Sequence, residues 1–136
     1  MPERPPTNPD AVHRALVAFA RAHKLTAPED ADALARILAD LTGDRAPLAA
    51  ELARPADRPL KHDLERLAPT LAPPDRLAIV RAMVDLTRAR AALDYAAVER
   101  IKALALLIRV PPPVLNGLLV EMDDPRAKPS PDRPPE

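Results

Sequence analysis

Apolar residues recur at helical spacing along most of this chain. Val12, Leu16 and Phe19 stand four and three residues apart, and Asn8 and Pro9 precede them as an N-cap and a first-turn proline. Leu34, Ile37, Leu38 and Leu41 form a second stripe, entered through Thr26-Ala27-Pro28-Glu29. That tetrad reads as a capping box, in which the Thr26 hydroxyl accepts the Glu29 N–H and the Glu29 carboxylate returns to the Thr26 N–H. Gly43 is placed to stop this helix in the left-handed region.

The pattern is shorter and more broken from Asp44 to Leu71. A brief helix is predicted over Pro47–Leu52, and another between Pro59 and Pro69 on Leu60, Leu64 and Leu67; both read as peripheral. From Pro73-Pro74-Asp75 a long helix opens, with Leu77, Ile79, Val80, Met83, Val84 and Leu86 as its apolar positions. Asp94 is the expected N-cap of the next helix, whose segment from Ala103 to Ile108 is apolar on nearly every side and is expected at the centre of the fold. Pro111, Pro112 and Pro113 end it, and Val114, Leu115, Leu118 and Leu119 supply a last helix.

The prediction is therefore all-α: a single compact helical bundle of six or seven helices over residues 9–123. Proline-rich tails flank it at 1–8 and 124–136, too poor in apolar surface to offset the entropy of ordering, which predicts disorder there. Pro131 to Pro134 has the spacing of a polyproline docking peptide.

Composition agrees with that reading. The chain has 136 residues with 47% hydrophobic content, yet a single Tyr, a single Phe and only 2 glycines, so strands would lack their usual aromatics and turns. Ala, Leu, Arg and Glu favour helix. The formal net charge of +0 gives no overall field toward nucleic acid, and one Tyr and one Phe make no stacking platform, so neither DNA nor RNA is an expected partner. Absence of cysteine excludes thiolate chemistry and Cys-ligated metal. No apolar run approaches the roughly 20 residues of a membrane span, and Met1 to Pro6 is not a secretory signal; a cytoplasmic location is the expectation.

Catalytic constellations are missing from the primary structure. There is no glycine-rich phosphate loop, nucleophile elbow, HExxH or dinucleotide fingerprint, so no enzyme activity and no cofactor are expected. His23, one turn after Phe19, reads as a residue at the edge of the core. His62 and Asp63 are successive and do not face one another, so with Glu65 they make no metal-ligand face and read as solvated. Arg81, Asp85 and Arg88 are spaced as a surface ion-pair ladder.

Ala20-Arg21-Ala22-His23-Lys24-Leu25-Thr26 and Ala89-Arg90-Ala91-Ala92-Leu93-Asp94 each end one helix, give a leucine and then an N-cap residue, which hints at two helical hairpins of common design. From about Leu77 to Leu119 the chain resembles the tellurite-resistance TerB-like family, an all-helical domain also found at the N-terminus of membrane-anchored J-domain co-chaperones. In that family a helix ends in Ala-Asp-Gly, followed by a hydrophobic residue, a cap, an early glutamate, an Ile-Ala pair and Leu-Gly-Leu. Here Ala89 takes the alanine, Leu93 the hydrophobic position, Asp94 the cap, Leu104-Ala105 the pair and Ile108-Arg109-Val110 the Leu-Gly-Leu.

The departures are in the acids. Arg90-Ala91 stands where the family has Asp-Gly, and Ala97 where it has the glutamate. The family's acidic patch is associated with divalent cations, which need several converging oxygens; the weak metal candidates left here are Asp85, Asp94 and Glu29. The resemblance implies a non-catalytic helical module that contacts another protein, with a stress-response setting. Arg88, Arg90, Asp94 and Arg109 are its candidate interaction residues. The alternatives are a self-associating structural subunit, suggested by the very apolar segment Val98 to Val110, and, less favoured, a divalent-cation-binding protein.

Overall fold

The computed structural model describes residues 8–43, 48–54, 58–90 and 93–123. Both proline-rich tails, apart from Asn8, and Ala91 and Ala92 of the hairpin motif lie outside them. The described residues are all-helical, with seven α-helices and no strand: α1 (Pro9–Ala22), α2 (Pro28–Thr42), α3 (Ala49–Ala53), α4 (Leu60–Leu67), α5 (Pro73–Arg90), α6 (Tyr95–Leu107) and α7 (Pro112–Asp123), with a 3-10 turn at Ala68–Thr70.

Helix α1 starts as expected, the Asn8 side chain accepting the Ala11 N–H at 3.2 Å. Helix α2 starts one residue later than the Thr26 box. Ala27 is its N-cap, and Asp30, not Glu29, returns a carboxylate oxygen to the cap N–H at 3.1 Å. Pro28 is the reason. Its ring disfavours helical backbone in the residue before it, so Ala27 is held extended at ψ 160° and Pro28 becomes the first helical residue.

The same device opens α5. Ala72 precedes Pro73, and Asp75 Oδ2 accepts the Ala72 N–H at 2.9 Å. Each helix thus begins with Ala-Pro-x-Asp, at Ala27–Asp30 and Ala72–Asp75, and these two aspartates are the buried charged residues among those described. Asp75 does more than cap. Its Oδ1 accepts the Asn8 N–H at 3.1 Å, and the Asn8 amide donates to the Thr70 carbonyl at 3.3 Å, so the starts of α1 and α5 are joined at one fully buried carboxylate. Asp30 in turn pairs with Arg90, joining the start of α2 to the end of α5.

Two helices end alike. After α1, the Leu25 N–H donates to the Ala20 carbonyl at 2.8 Å and the Lys24 N–H to Arg21 at 3.2 Å; after α6, the Val110 N–H donates to Ala105 at 2.8 Å and the Arg109 N–H to Leu106 at 3.0 Å. This is the Schellman pattern. Its left-handed residue is Lys24 at φ 56° in one and Arg109 at φ 66° in the other, with Leu25 and Val110 tucked into the core behind them. Gly43 ends α2 in the left-handed region as expected, at φ 82°.

Helices α1 and α5 pack together at the middle of the molecule, with α2 and α6 against α5 and with α3 and α4 against α1. Val12, Leu16, Phe19, Leu34, Ile79, Val80 and Met83 form their shared interior. Two expectations are corrected here. The middle segments are not peripheral: Leu48, Leu52 and Leu64 are buried, and α4 lies between α1 and α6. Few apolar residues are available there, but Leu48, Leu52, Leu64, Ala68 and Leu71 are all buried, so a sparse pattern still fills a layer. Helix α6, conversely, is not central. It buries Ala97, Ile101 and Ala105 and leaves Ala103 and Leu106 outside. An all-round apolar helix is compatible with burial, yet its neighbours α4, α5 and α7 leave Ala103 and Leu106 uncovered.

Candidate interaction surface

The four residues expected to make contacts do not form one patch. Arg88 and Arg90 lie in the last turn of α5, and Asp94 is the N-cap of α6, its Oδ1 accepting the Ala97 N–H at 2.8 Å. Arg109 follows the far end of α6, which at 1.5 Å per residue places it roughly 20 Å from Asp94. Arg88, Arg90 and Arg109 are all exposed, and Arg90 pairs with Asp30. Of the metal candidates, Glu29 sits exposed in the first turn of α2 beside the Asp30–Arg90 pair, and Asp85 is exposed on α5. Among the described residues no group of three or more His, Asp or Glu side chains converges as metal ligands would.

Two clefts flank α1. One, of about 360 Å³, lies against α4 and is lined by Arg14, Arg21, Arg66, Glu51 and Asp63 among others. Most of these groups already have work. Arg14 pairs with Asp10 at 3.2 Å, Arg21 places Nε and Nη2 on the Glu51 carbonyl at 3.1 and 2.7 Å, and the Glu51 carboxylate meets His13 Nε2 at 2.9 Å. The cleft is a clamp between α1 and α3 with mixed charge. The other, of about 490 Å³ between α1 and α2, is lined by Asp10, His13, Leu38, Thr42 and Leu48 among others. Hydroxyls are committed too: Thr42, Thr70 and Thr87 each donate to a carbonyl of their own helical segment, at 2.7, 2.7 and 2.8 Å.

His23 stands where the first helix ends, its ring stacked on Phe19 with centroids 4.5 Å apart. Both ring nitrogens are buried without a hydrogen-bond partner among the described residues. Burial, with Arg100 nearby adding repulsion, lowers its pKa below the ordinary 6.5.

The surface with unspent contact energy is on α6 and α7. Leu106 is 53% exposed, Val114 44% and Val120 61%, and Pro111, Pro113 and Gly117 lie open beside them. A side chain added at Gly117 would meet nothing within 4 Å. Helix α7 holds on through Leu115 and Leu118, which are buried, and through Glu121, which reaches Arg81 of α5 at 3.6 Å. Tyr95, 80% exposed, marks the opposite end of α6. The sequence pointed to the polar residues and, for self-association, to the apolar segment Val98 to Val110 that contains Leu106, but not to the exposed residues of α7. The signal was present: Val114, Gly117 and Val120 are three apart and fall outside the stripe of Leu115, Leu118, Leu119 and Met122.

No family model matches the chain, and neither a curated protein nor a solved structure does so at a significant level. Among the described residues no helix is long and apolar enough to cross a membrane.

Proposed function

We propose that this protein is a non-catalytic helical module that works by contact, with the outer face of α6 and α7 as the contact surface. The observation that carries the reading is the exposure of Leu106 on α6 and of Val114 and Val120, six residues apart, on α7, two helices that pack against each other. Large apolar side chains left in water on neighbouring elements mark binding surfaces. The commitment of the threonine hydroxyls and of the cleft side chains to structural bonds supports a role without chemistry.

The TerB-like reading is part of this proposal and gains one point of support. Arg109, the residue aligned with the glycine of Leu-Gly-Leu, has a left-handed backbone, the conformation in which glycine is favoured. The flanking Ile108 and Val110 are buried, as the motif's hydrophobic residues would be. A cytoplasmic stress-response setting follows from that resemblance. The divalent-cation reading has weaker support, since Asp94 spends an oxygen on its own helix.

The test is affinity capture with the full chain and with a Leu106→Asp/Val120→Asp variant. Both positions are exposed, so melting should be unchanged. Proteins held by the wild type, including further copies of the chain, should be released by the variant. An identical captured set with both would overturn the reading.

A further inference from the structure

We propose that His23 is an acid-released latch at the turn between α1 and α2: its neutral ring holds the turn closed, and its protonation opens the turn locally while the rest of the bundle stays folded. His23 is the C-cap of α1, and its ring lies on Phe19, itself 1% exposed, with the ring planes 28° apart. The stack fastens the end of α1 to the core. The next residue, Lys24, is held in the left-handed region at φ 56°, a conformation that costs a residue with a Cβ. The turn is strained where the latch sits.

The two Schellman ends show what the latch replaces. Ala20, His23, Lys24 and Leu25 after α1 correspond, through the same pair of main-chain hydrogen bonds, to Ala105, Ile108, Arg109 and Val110 after α6. Ile108 is fully buried. The place is one that an apolar side chain fills, and the imidazole makes no hydrogen bond there: Nδ1 and Nε2 are both buried without a partner among the described residues.

A neutral imidazole occupies such a place as a flat, largely apolar ring. An imidazolium does not, since it brings a charge and two N–H donors that find no acceptor. The charged group near it on another helix is Arg100 of α6, and Lys24 follows it in the chain; both are cations, with no acceptor to offer. The face of Phe19 attracts a cation, but by less than the burial of an unpaired charge costs. Burial, and then Arg100, accordingly lower the His23 pKa below 6.5. The side chain as a whole is only half-buried, so a rotation carries both nitrogens to water and takes the ring off Phe19.

The Lys24 and Leu25 amides, bonded to the Arg21 and Ala20 carbonyls, report the turn, and the Arg109 and Val110 amides report its counterpart without a histidine. Hydrogen exchange of the four is followed by NMR on the full chain, corrected for the intrinsic pH dependence of exchange. As pH falls below 6.5, protection at Lys24 and Leu25 should drop by up to about tenfold per pH unit, levelling off below the folded pKa, while Arg109 and Val110 hold theirs. His23→Leu should abolish the drop, and His62→Gln, at an exposed position, should retain it. Equal loss at both turns would show acid unfolding of the whole bundle and would overturn the proposal. So would unchanged protection at Lys24 and Leu25, or a drop that persists in His23→Leu. Should that variant not fold, the comparison of the two turns in the wild type still decides.

Discussion

Asp75 joins the starts of α1 and α5 from a position without solvent exposure. Replacing it by alanine would leave the Asn8 and Ala72 N–H groups without acceptors, at a cost of about 2–4 kcal/mol, measured by chemical denaturation. Asp75→Asn keeps one acceptor oxygen and should cost less. The left-handed residues are a second test. Lys24→Gly and Arg109→Gly each relieve a strained backbone, partly offset by the greater freedom of glycine when unfolded, for a net gain on the order of 0.5–1 kcal/mol. Protonation of His23 is a third. Its folded pKa lies below 6.5, so on the acidic side of that value the unfolded chain binds more protons and stability falls as pH falls. Above 6.5 the contribution is fully present. His23→Leu should therefore melt with a shallower dependence on acid pH than the wild type, and equal slopes would show that the ring is not held neutral.

At the scale of elements, periodicity and caps carried the reading a long way. The starts of α1, α5 and α6 at Asn8, Pro73 and Asp94, and the stop of α2 at Gly43, follow from local chemistry that operates within a few residues. What sequence could not convey was which faces meet. Helix α4 has three leucines in eight residues and one of them, Leu64, is fully buried between α1 and α6. Leu64→Ala should cost about 2–5 kcal/mol, a result that a peripheral helix would not give. Helix α6 shows the reverse case. Its pattern lacks a polar face, so nothing in it distinguishes a helix surrounded by neighbours from one with an apolar face turned outward. The Schellman ends were hidden because Lys24 and Arg109 occupy positions where glycine is the usual signal. Two of the four contact residues proposed from polarity are engaged within the fold, Arg90 with Asp30 and Asp94 with the α6 cap.

For the whole molecule, buried carboxylates tie helix starts together on the α1, α2 and α5 side, while apolar side chains are exposed on the α6 and α7 side. That asymmetry is what a contact module needs: a fold held by its own bonds and a face left for another. Hydrogen exchange of the full chain, compared between low and high concentration and with any captured partner added, reads that face most directly. Slower exchange in α7 and the C-terminal half of α6, with α1 and α5 unchanged, is the expected result. Exchange in α6 and α7 that is the same under all of these conditions would contradict the assignment of this surface to partner contact.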